Sequence, residues 1–160
     1  MHTAAIYPGS FDPATNGHLD IIRRCRRIFP RLVVAILDNP RKQPLFSLQE
    51  RIEMLEALLQ DDPLIEVLAF DGLLVNVARE HDVRVIIRGL RAISDFEYEF
   101  QMAMMNRYLE GSIETLFMVP DQAYTYLSSS LIKEIYSLGA SVQGMVPELV
   151  AERLRELSKR

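Results

Sequence analysis

The stretch YPGSFDPATNGHLD, residues 7–20, places Pro8, Gly9, Pro13 and Gly17 ahead of one histidine, His18. Glycine admits backbone conformations closed to other residues and proline locks φ, so these four fix a chain path. Thr15 or Asn16 suits a helix cap, which puts His18 in the first turn, and Gly17 removes a side chain where a ligand would approach. A helix start offers unsatisfied N–H groups and the positive end of a dipole; it attracts phosphate and disfavours imidazolium. A neutral histidine there is suited to donate one hydrogen bond to a phosphate oxygen, whose charge shifts as a phosphoryl centre reacts. On GH alone, a capping or core histidine is the commoner explanation. The preceding YPGSFDP favours the chemical one.

Three further groups fit the same chemistry. In IIRGLR, Arg88 and Arg91 flank Gly89. Arginine grips phosphate bidentately and keeps its charge. Taken alone, the pair reads equally as a phosphate clamp or as salt bridges to Asp95, Glu97 or Glu99, and Glu99 has the alternative of lying beside a nucleotide. The run Ser128–Ser130 precedes the apolar LIKEIY. It reads either as helix capping or as hydroxyls for a triphosphate, with Lys133 one turn further in. Lys42 sits in NPRKQPLF. Most surface lysines do nothing specific, and only its position near the other groups keeps this one. Arg23, Arg24, Arg26 and Arg27 read as a solvated helix face, and Met102, Met104 and Met105 as core or interface packing. Cys25 falls with Ile21, Ile22, Ile28 and Phe29 on an apolar face. Zinc-type His/Cys spacing, the Walker pattern and GxGxxG are all missing from the sequence.

The elements that must position these residues alternate. Apolar runs at Ala4–Tyr7, Leu32–Leu37, Ile65–Phe70, Val83–Ile87 and Ile113–Val119 suit parallel strands covered on both faces. Helical patterns lie between them. SLQE and SDFE each fit a capping box, with Ser47 and Glu50 in one and Ser94 and Glu97 in the other. A third helix covers about Leu73–Glu80, a later one follows the serines and stops near Gly139, and Pro147 suits the first position of the last. The fold expected is α/β, a Rossmann-like doubly wound five-stranded parallel sheet with helices on both faces, in a single domain over 1–160. Ligands of such sheets bind beyond the carboxyl ends of the strands, where the strand order reverses. PGSF, RGLR and PDQAYTYLSSS, and the loop carrying Lys42, all lie at that edge.

The bulk numbers are compatible with this. The chain has 160 residues, 49% of them hydrophobic and 25% charged, with a net charge of −4. That balance argues against broad nucleic-acid binding, which needs a basic surface. One cysteine cannot form an internal disulfide, which fits a reducing cytoplasm. No apolar run is long enough to span a membrane, and no signal peptide is read at the N-terminus.

YPGSFDPATNGHLDII, RKQPLF, IIRGLRAISDFEYEFQMAMMNR and SSSLIKEI together resemble the bacterial phosphopantetheine adenylyltransferase family, within the nucleotidyltransferases whose first motif is T/HxGH. The likeness runs from about Ala5 to about Pro147. TNGH is specific only to the superfamily; RGLRAISDFEYE carries the finer likeness. The resemblance implies that ATP and 4′-phosphopantetheine give dephospho-CoA and pyrophosphate with Mg²⁺, the penultimate step of coenzyme A synthesis. It implies His18 as the donor that stabilises the transition state at the α-phosphate, and Lys42 as the cation that neutralises the attacking phosphate. It implies Ser10, Lys42, Leu74 and Arg88 as contacts to phosphopantetheine. For ATP it implies Ser10, Phe11, His18, Gly89, Leu90, Arg91, Glu99, Tyr124, Thr125, Tyr126, Leu127, Ser128, Ser129 and Ser130. No protein-held metal site follows. A homohexamer, inhibition by CoA and a cytoplasmic location complete the expectation. The competing readings are a related enzyme acting on glycerol 3-phosphate or nicotinate mononucleotide, and a nucleotide-binding module without turnover.

Overall fold

The computed structural model describes residues 4–39 and 43–159. Five strands form one sheet: β1 (Ala5–Gly9), β2 (Leu32–Leu37), β3 (Ile65–Phe70), β4 (Val85–Gly89) and β5 (Glu114–Met118). Their order is β3-β2-β1-β4-β5 and every pairing is parallel. β1 and β4 run two residues past the apolar signal, to Gly9 and Gly89, because ladder pairing needs backbone and not apolar side chains.

The winding reverses between β1 and β4, and there the two strands part early. Their register covers only Ala5↔Val85 and Ile6↔Ile86, whereas β4 stays paired with β5 as far as Gly89. Pro8 explains the early parting: it has no N–H to give a neighbouring strand. Its carbonyl instead accepts from Arg88 Nη1 at 3.2 Å. One proline in a central strand thus opens the crevice that a doubly wound sheet uses for ligands.

The helices are α1 (Asn16–Ile28), α2 (Leu48–Leu59), α3 (Leu74–Glu80), α4 (Ile93–Leu109), α5 (Ser129–Ser137) and α6 (Glu148–Leu157). Alternate strand residues face opposite sides. Tyr7, Val34, Ile36 and Ile87 pack with Ile21, Ile22 and Cys25 of α1 and Leu55 of α2. Ile6, Val33, Ala35 and Ile86 pack with Val75 and Ala78 of α3 on the other face. A third cluster, with Phe46, Met54, Ile132, Val150 and Leu154, fixes α5 and α6 beside α2.

The Ser47 box forms: Ser47 Oγ accepts from Glu50 N at 3.2 Å, and a Glu50 carboxylate oxygen accepts from Ser47 N at 2.9 Å. Gly139 ends α5 at φ +75°, with its N–H on the Tyr136 carbonyl and the next N–H on Ile135. The SDFE box does not form. α4 begins two residues earlier than a Ser94 cap would place it, at Ile93, behind Ala92, which has no side chain able to cap, and the Asp95 carboxylate accepts from Arg91 Nε. Pro147 is the cap of α6 rather than its first residue.

Two sequence readings of α1 are also corrected. Ile28 lies in its final turn and is exposed. Arg26 and Arg24 are tethers, not merely solvated: Arg26 pairs with Asp62 at 2.8 Å, and Arg24 reaches Asp20 at 3.2 Å and the Val119 carbonyl at 2.7 Å.

Candidate active site

An open cavity of about 550 Å³ lies where β1 and β4 part. His18 is at its edge, and its protonation and tautomer follow from its neighbours. Thr15 is the N-cap of α1: His18 N donates to Thr15 Oγ1 at 3.3 Å, and Thr15 N donates to His18 Nδ1 at 3.0 Å. A backbone N–H only donates, so Nδ1 is the acceptor and the ring proton resides on Nε2. Burial, then the charges of Arg91 and Arg88, lower the His18 pKa to about 4. The ring is therefore neutral at physiological pH, with Nε2–H free as a donor. The rest of the helix start is less open than the sequence suggested, since Asn16 N donates to the Met145 carbonyl at 3.0 Å.

This state is directly measurable. In an NMR titration, the His18 ring should show a midpoint near 4 and remain neutral from pH 5 to 8. A midpoint near 6.5 would contradict the assignment. The native pKa is below the unfolded one, so this group supports stability above about pH 6.5, and that support is lost as the pH falls towards 4.

Under the histidine lies Phe11, 1% exposed and edge-on to it, with ring centroids 5.0 Å apart at 65°. Phe11 has φ +46°, a left-handed conformation that an aromatic residue adopts only when its surroundings impose it. Gly9 makes that possible: a Cβ at residue 9 would come within 3.1 Å of the Phe11 ring. The following residue, Asp12, is buried and joins three segments. Its carboxylate accepts from Leu45 N at 2.9 Å and Phe46 N at 2.8 Å, and pairs with Lys133 Nζ at 3.1 Å. Arg51, 3% exposed, donates to the Ser10 carbonyl at 3.0 Å and so fixes the Ser10 backbone.

Across the crevice, Arg88 Nε and Nη2 each donate to Glu99 at 2.7 Å. Burial works against the guanidinium charge, but the hydrogen bonds and charge of Glu99 outweigh it and hold the Arg88 pKa above its ordinary value. Of five N–H bonds, Glu99 and Pro8 use three, which leaves two for a ligand. Arg91 pairs with Asp95 at 3.2 Å and donates to the Leu127 carbonyl at 2.9 Å. Of the two sequence alternatives the salt bridges are present, and both arginines also line the cavity.

The serine run divides its labour. Ser128 Oγ caps α5 by accepting from Leu131 N at 3.0 Å. Ser129 Oγ donates to the Pro13 carbonyl at 2.8 Å, tying this segment to the loop that precedes α1. Ser130 is exposed and lines the cavity. Ser10, Phe11, His18, Arg88, Gly89, Arg91, Glu99, Tyr124, Leu127, Ser128, Ser129 and Lys133 line it too. Leu90, Thr125 and Tyr126 do not, nor does Leu74, which starts α3 and packs against the α3 core. Lys42 lies outside the described residues. Sequence reasoning assigned no role to Asp12 or Arg51, whose partners are remote in the chain, nor to Tyr98 and Pro120, and it read Ser94 only as a helix cap and Asp95 only as an ion-pair partner; the last four also line the cavity.

Residues 6–135 match the family model described as cytidylyltransferase-like. A phosphopantetheine adenylyltransferase of Caldanaerobacter subterraneus subsp. tengcongensis is 55% identical over 156 residues, covering 98% of this chain and 98% of that protein. Another, from Dictyoglomus thermophilum, is 54% identical over 152 residues, covering 95% of this chain and 93% of that protein. A solved structure assigned as a nicotinate-nucleotide adenylyltransferase from Vibrio parahaemolyticus superposes with a TM-score of 0.66 at 15% identity, over 96% of this chain and 91% of the other, a likeness of fold alone. The chain belongs to the cytidylyltransferase-like family, and within it to the phosphopantetheine adenylyltransferases.

Proposed function

We propose that this chain transfers the adenylyl group of ATP to the phosphate of 4′-phosphopantetheine. A phosphate oxygen attacks the α-phosphorus, a new P–O–P linkage forms, the bond to the β-phosphate oxygen breaks, and pyrophosphate leaves; the product is dephospho-CoA. The observation that carries the reading is the neutral His18, its Nε2–H free, at the mouth of a crevice lined by Arg88 and Arg91, in a chain over half identical to enzymes of that name. A phosphate monoester is already anionic near neutral pH, so no general base is needed. What the reaction requires is alignment and positive potential where charge builds. Arg88 holds the attacking phosphate with its two unused N–H bonds, and Lys42 neutralises that phosphate. Ser10 and the Leu74 backbone take further contacts to phosphopantetheine. Phe11, Gly89, Arg91, Glu99, Tyr124 and residues 127–130 surround ATP, with Glu99 acting through Arg88.

Mg²⁺ accompanies the nucleotide, on the triphosphate's own oxygens and water. The residues do not fit a protein-held ion: no cluster of three His, Cys, Asp or Glu suited to a metal occurs among the described residues, and the cavity carboxylates Asp12, Asp95 and Glu99 each face a cation. CoA, which shares the product's arm, competes for the same cavity. No helix among the described residues is long and apolar enough to cross a membrane. The lone thiol, Cys25, is buried and its pKa is pushed up to about 12, mainly by that burial, so it is unreactive; a cytoplasmic setting suits it.

Self-association belongs to the same reading. α4 presents Ile93, Phe100, Met102, Met105 and Tyr108 to solvent, and Val119 after β5 extends the exposed apolar surface. Ile93 is 94% and Tyr108 86% exposed, too much for a free surface of an ordinary monomer. Sedimentation velocity should show a homo-oligomer, a hexamer, that Met105→Glu dissociates. A wild-type monomer at micromolar concentration would contradict it.

A further inference from the structure

Tyr7 is a buried polar residue that the chemistry above leaves unused. It lies on β1, 5% exposed, and it lines the cavity. Its ring is fixed on two sides: edge-on to Phe11, with centroids 5.6 Å apart at 78°, and tilted against His18 at 6.4 Å. Its hydroxyl makes no hydrogen bond to any described residue. That oxygen ends beside Gly89, 3.9 Å from where a Cβ would stand. The same Cβ would meet Ile21 Cδ1 at 2.9 Å, so the glycine admits Ile21 there, and the Tyr7 hydroxyl lies beside both in the cavity wall.

Thr115 Oγ1 is the one buried side-chain polar atom without a partner among the described residues, so the Tyr7 hydroxyl, on a residue only 5% exposed, still opens onto the cavity. An unpaired donor at a cavity wall is available to a ligand. We infer that Tyr7 is a nucleotide-positioning residue, whose hydroxyl donates a hydrogen bond to an oxygen of ATP in this cavity. Burial raises the phenol's pKa further above its ordinary value, against the smaller opposing effect of Arg88, so the proton stays available at every working pH. The mutually edge-on and tilted rings of Tyr7, Phe11 and His18 then present two donors of one nucleotide site, the Tyr7 hydroxyl and His18 Nε2–H, on a single packed support.

The inference rests on ATP occupying this cavity, so the test reads ATP alone. Calorimetry on the full chain compares wild type with Tyr7→Phe, which keeps the ring and removes only the hydroxyl. The Kd for ATP should rise about tenfold, the scale of one hydrogen bond to a ligand. The Tm without ligand should stay level or rise, since no internal bond is lost. In turnover assays the KM for ATP should rise in parallel, with the KM for phosphopantetheine within twofold. An unchanged Kd for ATP overturns the inference. So does a lower Tm with equal weakening towards both substrates, which marks a structural role. Wild type that binds ATP but releases no pyrophosphate would sink the proposed reaction and leave the calorimetric comparison intact.

Discussion

His18→Ala should lower kcat by roughly 10² or more and change KM little, the scale for losing one preorganised donor to a transition state. The structure allows the donor role to be separated from the structural one. His18 occupies the third helical position, where glutamate or glutamine usually completes a capping box, and its Nδ1 accepts the Thr15 N–H. Alanine removes both functions, so it should also cost about 1 kcal/mol of stability through the cap. Asparagine places its amide oxygen where Nδ1 lies and has nothing at the position of Nε2. His18→Asn should keep the wild-type Tm and still lose the rate. Steady-state kinetics and thermal melts on the two variants decide the matter. Full activity in His18→Asn would show that the histidine serves the helix and not the reaction.

The second large effect is expected at Arg88. Arg88→Met keeps much of the aliphatic packing and should raise the KM for phosphopantetheine roughly 10- to 100-fold, the worth of a charge-assisted contact. It should also destabilise the fold, because Glu99, 8% exposed, would keep a buried charge without its partner. Breaking buried pairs costs about 3–5 kcal/mol, and the partial exposure of Arg88 places this one at the low end or below. Adding Glu99→Leu removes the stranded charge. The double variant should therefore recover most of the lost Tm while its KM remains high. If both recover together, the arginine acts only as a strut for α4. If KM stays at the wild-type value in the single variant, Arg88 does not hold the substrate phosphate.

Local rules made much of this molecule legible before its structure. The Val- and Ile-rich runs became strands, and Ser47, Glu50 and Gly139 did what their types and spacing implied. His18 was placed correctly in its first turn by the TNG that precedes it. At Ser94 and Glu97 a box of the right spacing goes unused: α4 starts at Ile93, and Asp95 pairs with Arg91 four residues back. Elsewhere contacts distant in sequence decide what local signals do not show. Asp12 spans more than thirty residues to reach Leu45 and Phe46, and 121 to reach Lys133. No short-range pattern marks such a residue. Tyr7 was counted as one more apolar strand position, because a sequence does not reveal whether a buried hydroxyl finds a partner. The methionines of α4 fit core and interface equally by composition, and only their exposure separates the two.

Pro8 carries a more general point. A proline in a central strand ordinarily argues against the strand, yet here β1 keeps its ladder to β2 through Pro8 and Gly9 and yields only the side facing β4. The yielded side is the crevice. Arg88 bonds to the Pro8 carbonyl there and is held by Glu99 from behind, so the same local break that opens the sheet also aims a cation into it.

The central claim is the pair of substrates, and pyrophosphate release tests it most directly. Purified protein with ATP and Mg²⁺ is assayed with and without 4′-phosphopantetheine, beside parallel reactions holding CTP with glycerol 3-phosphate and ATP with nicotinate mononucleotide. The account predicts release only where ATP and 4′-phosphopantetheine are together. Release with another pair would move the substrate assignment to that pair, and no release in any reaction, with ATP still bound, would contradict the proposed catalysis.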